Sequence, residues 1–401
     1  MSHCDKAKGH IMQRHAILTF YFLAIFLAAM PYGLTFLLPD LFAVFGGDAR
    51  DVGGVLAATA AMTVLIVIFS GRIAARWRRM SVIAAASLVL SLAMALFALA
   101  DRMGPLCFVA GAILGVGWGL FYVLTPIALT DLITADERVR FFTLLSVFIM
   151  AGFGLSPVLG AGLLAAGFPV RAAFWVVALA CLVAAVVFAL LVPAFARHAT
   201  PGSPNPTQLS RAAIARVMRS RAIRPVIMVG IGASVFAAVT NFQTIFAAAH
   251  GLDFGLYFAA YTITVIICRV ALAEFIGGRA PYAVMAILLG IMALSIVVMV
   301  FMPANALAYA LAAILFGIGY GVSYPIVKAM AANDAEPDLL APTLELFGLS
   351  YFLGVFGFPF VAGIVITSAG IATLLLIAAG LALVECLMAA FRYRRDRSQP
   401  A

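Results

Sequence analysis

The apolar residues of this chain neither alternate nor collect on one helical face. They come in long unbroken runs cut by short polar clusters. Roughly 20 apolar residues are what a helix needs to cross the hydrocarbon of a bilayer. Runs of that kind lie at 16–38, 52–71, 81–99, 105–130, 141–165, 170–192, 225–249, 254–276, 282–302, 305–330, 341–367 and 370–391. The pattern predicts an all-α integral membrane protein with twelve transmembrane helices. The connections are short except for 193–224, which contains the Pro201–Pro206 segment. That linker divides the chain into six spans within 1–192 and six within 225–401, the last followed by a short tail.

Composition agrees. Hydrophobic residues make up 65% of the chain and charged residues only 10%, against about 25% charged in soluble domains. This excludes a water-soluble globule. The first run is too long for a signal-peptide core, which predicts a retained span.

The net charge of +9 is distributed by side. One set of connections carries Arg72, Arg76, Arg78 and Arg79, then Arg138 and Arg140, then the linker arginines from Arg211 to Arg224, then Arg392, Arg394, Arg395 and Arg397. The opposite set holds only Arg50, Arg102 and Arg171. Short cytoplasmic loops collect basic residues, so both termini and the linker are expected in the cytoplasm. The same distribution argues against nucleic acid as a partner. Within the linker, 210–224 alternates Arg with Ile214, Val217, Met218 and Ile223, which predicts a short basic amphipathic helix on an anionic lipid surface. Five scattered cysteines and five histidines without zinc-type spacing point to no disulfide framework, metal or cofactor. No motif of a soluble hydrolase is present, so an enzyme is not expected.

The chain repeats itself. Gly115–Tyr122 and Gly317–Tyr324 match at one offset through Gly115/Gly317, Gly117/Gly319, Gly119/Gly321 and Tyr122/Tyr324. The same offset carries Gly152 onto Gly354 and Pro157 onto Pro359. Six spans separate the copies, so both run the same way through the membrane, which is a parallel repeat. Glycines four apart permit close helix packing in lipid.

Three local patterns carry a resemblance. Gly71-Arg72-Ile73-Ala74-Ala75-Arg76-Trp77-Arg78-Arg79 follows span two. Gly152, Gly154, Pro157, Gly160 and Gly162 mark span five, and Tyr324-Pro325 lies in span ten. With six plus six spans and a basic linker, the chain resembles the major facilitator superfamily, and its bacterial efflux-type members in particular. The resemblance implies two pseudo-symmetric six-helix bundles. It also implies a cytoplasmic gate at Gly71, Arg72, Arg76 and Arg79, although Ala75 stands where the family signature has aspartate. Asp131 ends span four, and the expected pair is Arg76–Asp131. Gly152, Pro157, Gly160 and Gly162 form the packing motif common in exporters.

Polar groups inside spans are functional suspects because burying them is costly. Substrate or cavity candidates are Tyr32, Thr35, Tyr122, Asn241, Gln243, Arg269 and Tyr324, in spans that the resemblance places around a central cavity. Interhelical hydrogen bonding is the alternative role for the neutral ones. For Arg269 the alternatives are an anionic substrate group, a coupled carboxylate, or snorkelling to the interface. Lys328, near the end of span ten, is expected to snorkel. Proton-coupling candidates are Asp40, Glu274, Glu345 and Glu385. The expected function is proton-coupled export of a small organic solute by alternating access, by a monomer in a bacterial inner membrane. The alternatives are a proton-coupled metabolite importer and a non-transporting sensor or assembly protein on the same scaffold.

Overall fold

The computed structural model describes residues 3–134, 137–198, 210–272, 281–302 and 304–398, which form helices and short connections. In lipid the backbone must satisfy its own hydrogen bonds, and the helix does so within one segment. The spans are Arg14–Ala43, Ala49–Arg76, Arg79–Leu99, Pro105–Leu129, Arg140–Ala165, Val170–Arg197, Ile223–His250, Phe254–Ala271, Pro281–Phe301, Ala306–Asp334 and Leu340–Arg395. The last contains two crossings. Gly370 adopts φ 84° and ψ 165° within it, a conformation that glycine reaches without steric cost. It separates span eleven from span twelve, giving the twelve crossings that the apolar runs predict. Several helices outrun their apolar runs because polar ends continue into the interfaces; span six continues as helix through Pro193 to His198.

Outward faces are apolar. On span six, Trp175, Leu179, Val183, Val186 and Leu190 are exposed at helical spacing, a stripe that suits lipid. Inward faces meet through small residues. A Cβ on Gly33 of span one would overlap the Phe153 carbonyl, and one on Gly152 of span five would overlap the Phe26 carbonyl.

The internal repeat is visible in three dimensions. Gly115 packs on Thr59 and Thr63 of span two, while Gly317 packs on Tyr261 and Thr264 of span eight. Gly117 packs on Ala86 and Leu90 of span three, and Gly319 on Leu288 and Met292 of span nine. Helix breaks repeat too. Span one is interrupted by a 3-10 turn at Thr35–Leu37, entered from Leu34 at φ −71°, ψ −18°. Span seven is interrupted between Thr240 and Gln243, with Asn241 at φ −71°, ψ −18°. Thr35 Oγ1 lies 3.5 Å from Asn241 Oδ1, so the two breaks meet across the bundles.

The linker helix is present as Arg211–Arg219, with the Ser210 hydroxyl accepting from Ala213 N–H at its start. Val217 is fully buried. Arg216 donates to Glu336 at 2.8 Å and Asp338 at 2.7 Å, and this pairing holds the Asp338 carboxyl below its ordinary range. One charged face of the helix is therefore bound to the connection between spans ten and eleven. Lys328 is exposed.

Candidate functional site between the bundles

The two halves touch along spans two and eleven and along spans five and eight. On the face away from the chain termini this contact is tight. A Cβ on Gly363 would overlap the Ala49 carbonyl, and one on Gly53 would lie 2.8 Å from Phe360 Cα. Arg50 donates to Thr367 Oγ1 at 2.6 Å. Just inside this seal sits an aromatic plug. Phe36 stacks on Phe258 at 5.2 Å and meets Phe236 at 6.1 Å, and Phe153 meets Phe236 at 6.3 Å. Each of these pairs joins one half to the other.

A tyrosine layer follows. Tyr32 stacks on Trp118 at 4.9 Å and meets Phe356 of the other half edge-on at 5.5 Å. The Tyr122 and Tyr324 hydroxyls are hydrogen-bonded at 2.9 Å. Tyr351 of span eleven lies 6.1 Å from the Tyr122 ring and 5.1 Å from the Tyr324 ring. Arg269 adjoins this layer. Its Nε donates to the Gly321 carbonyl at 3.2 Å, and its Nη1 donates to Ser146 Oγ of the other half. Among the described residues no carboxylate pairs with it.

The other candidates fall as follows. Thr35, Asn241 and Gln243 are buried. Thr35 Oγ1 donates to the Tyr32 carbonyl at 2.6 Å, and Asn241 Nδ2 to the Ala237 carbonyl at 3.1 Å. Gln243 Nε2 donates to Tyr309 Oη at 2.6 Å, so it links spans seven and ten within one half. Asp40 is half-buried in the first turn of the helix Leu38–Ala43. Glu345 is half-buried and Glu385 fully buried, each with Oε2 buried and without a hydrogen-bond partner. Glu385 lines a small cavity with Gly232, Tyr320, Ser323 and Tyr324, with space on the scale of a single water. Glu274 lies outside the described residues. Of the span-five glycines, Gly160 packs on Leu37, whereas Gly162 faces open space. Gly154, next to Pro157-bearing turns of the same helix, meets Thr262 of the other half.

The expected Arg76–Asp131 pair is replaced by Arg79–Asp131, at 3.2 Å. Span two ends at Arg76, and Trp77, extended, and Arg78, at φ −59° and ψ 129°, leave the helix. The chain thereby carries Arg79 to the start of span three and against the end of span four, while Arg76 stays exposed. Arg72 lies over the Phe69 ring at 5.5 Å, and Gly71 is half-buried in span two. Asp131 and Arg79 belong to one half, so the pair clamps that half and does not bridge the two.

Sequence reasoning missed Ser146, Tyr351, Tyr320 and Trp118. Tyr320 carried a signal, since it stands one turn from Tyr324. So did Trp118, its partner in the other copy of the repeat, one turn from Tyr122; Ser146 and Tyr351 lie outside the repeated stretch.

Two bundles related by a repeat, sealed at one face and holding an aromatic and polar centre, define a membrane transporter of the two-bundle class. The chain belongs to the Major Facilitator Superfamily, whose family model matches residues 20–356. The fold is similar to the nucleoside transporter NupG (TM-score 0.75, 17% identity, covering 94% of this chain and 99% of that one). It is also similar to the peptide transporter POT (0.74, 17%, 95% and 94%). The human organic anion transporter MFSD10 matches at 0.69 and 16%, covering 94% and 99%. No curated protein matches the chain in sequence. Membership and these neighbours support a secondary transporter.

Proposed function

We propose that the protein exports a small organic solute in exchange for protons, by alternating access, as a monomer in a bacterial cytoplasmic membrane. The face carrying both termini and the linker lies in the cytoplasm, in keeping with its arginines. The observation that carries the reading is the Tyr122–Tyr324 contact. Equivalent positions of two repeats meet in the middle of the molecule, where rocking of one half against the other would make or break them. Export is supported by the glycine–proline pattern of span five. Proton coupling is supported by Glu345 and Glu385, whose unpartnered buried oxygens make binding or loss of a proton energetically consequential. Glu385 shares its cavity with Tyr324, so its proton would be felt beside the cross-bundle contact. Neighbours of this fold carry nucleosides, peptides and organic anions by their names, which supports an organic cargo.

The test is flux in proteoliposomes of known orientation, with an imposed proton gradient and a library of labelled metabolites and drug-like compounds. The expected result is solute movement opposite to the protons, abolished by a protonophore. Movement with the protons makes the protein an importer. No flux for any compound favours a non-transporting role.

A further inference from the structure

Arg269 breaks the symmetry of the molecule. In the first half, Thr59 donates to Gly111 O at 2.9 Å and Thr63 to Gly115 O at 3.2 Å, each across a separation of 52 residues. Arg269 reaches Gly321 O across the same separation of 52. Subtracting 52 from Gly119, the repeat partner of Gly321, gives Val67 as the first-half counterpart of Arg269. Val67 is 6% exposed and apolar. Packing at this position is thus met by a valine in one half, while the other half places a guanidinium there.

An arginine remains charged at any working pH. Half-buried inside a span with no carboxylate partner among the described residues, it carries a standing cost, which persists in a fold only where something offsets it. The bonds to Ser146 and Gly321 use Nη1 and Nε. They are neutral acceptors, so among the described residues nothing compensates the charge. Around it stand hydroxyls in place of carboxylates: Tyr261, Tyr122, Tyr320 and Tyr324 are its electrostatic neighbours. Phenolic hydroxyls donate as well as accept, so beside the guanidinium they add donors for negative oxygen, and the buried Tyr261 hydroxyl has no partner of its own. The position also joins the halves, because Ser146 belongs to span five and Arg269 to span eight.

We propose that the central site binds the solute through an anionic oxygen group, a carboxylate or a phosphate, held by Arg269 with the Tyr122 and Tyr324 hydroxyls as flanking donors. This rests on the transporter reading above and assigns its substrate class. An anion at Arg269 would replace the Ser146 contact between the halves, so loading the site and loosening the bundle junction become one event.

The experiment reads binding and not flux, which separates the two proposals. Thermal unfolding of the purified protein is followed with inorganic phosphate, sulfate, and a broad panel of carboxylic acids and phosphomonoesters. Each organic acid is paired with its neutral amide or alcohol. A ligand that binds the folded state raises its apparent stability. Expected are a rise in Tm with at least one anion, none with its neutral counterpart, and loss of at least tenfold in affinity in Arg269→Gln. Arg269→Lys keeps the charge without the planar fork and should retain weak binding. Its unliganded Tm controls for folding. The proposal is overturned if neutral partners stabilise equally, if no anion stabilises the wild type, or if Arg269→Gln binds as well as the wild type. It is also overturned if Arg269→Gln lowers the unliganded Tm and Glu274→Gln restores it, since Arg269 would then be half of an ion pair. Anion binding without any flux keeps this site and removes the transporter reading. Flux of a neutral solute without anion binding does the reverse.

Discussion

Tyr122 and Tyr324 occupy the same position of the two repeats, and their hydroxyls meet at 2.9 Å. A contact between symmetry-related residues lies on the pseudo-symmetry axis, so it is held in common by both halves and its strength weights the conformations in which it forms. A neutral hydrogen bond contributes about 0.5–1.5 kcal/mol net. Tyr122→Phe and Tyr324→Phe should each shift the balance between conformations by roughly two- to tenfold, and the double variant should shift it no further. Spin labels at Thr134 and Asn333, one in each half, would report the populations as distance distributions. Additive shifts would place the tyrosines in separate roles.

The Arg79–Asp131 pair has a counterpart in the second half. Both span 52 residues: Arg79 to Asp131 at 3.2 Å, and Tyr282 Oη to Asp334 Oδ2 at 2.6 Å. Each ties the start of one helix to the end of the next within a half. The side chains of Arg79 and Asp131 are only 15% and 7% exposed, so the coupling should exceed that of an open surface pair. A double-mutant cycle in thermal stability with Arg79→Ala and Asp131→Ala should give about 1 kcal/mol or more of interaction. Arg76→Ala should be nearly silent. A larger effect at Arg76 than at Arg79 would contradict the assignment.

The seal on the face away from the termini depends on glycine. Gly53 and Gly363 lie against the opposing backbone, which cannot move aside as a side chain could. Overpacking of this kind costs about 1–3 kcal/mol. Gly53→Val should therefore open that face, raising the labelling of a cysteine placed at buried Thr244 by an impermeant thiol reagent tenfold or more. Unchanged labelling would mean that the seal tolerates the extra atoms by sliding.

Glu137 lies outside the spans, and its ion pair with Arg14, at the start of span one, should respond to pH. The Arg14 hydrogen bond first, and the Thr134 backbone N–H second, hold the Glu137 carboxyl down from 4.5 to about 2. A depressed carboxylate contributes stability that is fully present above its unfolded value and is lost as pH falls through the folded one. Docking of the first helix should thus be constant above about pH 5 and weaken as the pH falls toward about 2. Exposure of Glu137 and Arg14, at 28% and 34%, keeps the effect within about 1 kcal/mol. Glu137→Gln should remove the pH dependence of hydrogen exchange in residues 14–20. A dependence that survives belongs to another group.

Glu385 tests the proton. It is 2% exposed, lies among Gly232, Tyr320, Ser323 and Tyr324, and has an unpartnered oxygen. Glu385→Gln keeps the shape and removes the titration. Proton-driven flux should fall at least tenfold while solute exchange without a gradient persists. Intact proton-driven flux in that variant would pass the role to Glu345 or Asp40.

Much of this protein could be read directly from its chain. Twelve crossings follow from runs of apolar residues, because lipid imposes a length on every helix and admits no other local solution. The repeat follows from matching glycines, because two helices approach closely only where side chains are absent. What the chain could not disclose was which residues meet between elements. Arg79, not Arg76, reaches Asp131 because two non-helical residues intervene, and a shift of three positions is invisible to a motif. Arg269 could equally have snorkelled, paired or bound, and only packing shows it between Gly321 and Ser146 with tyrosines around it. Tyr351 matched no motif in its own run; span eleven, widened by a π-helical turn at Leu353–Gly357, brings it beside Tyr122 and Tyr324. Hydropathy is a property of each segment and survives reading one residue at a time, whereas a site is made by the angles between segments.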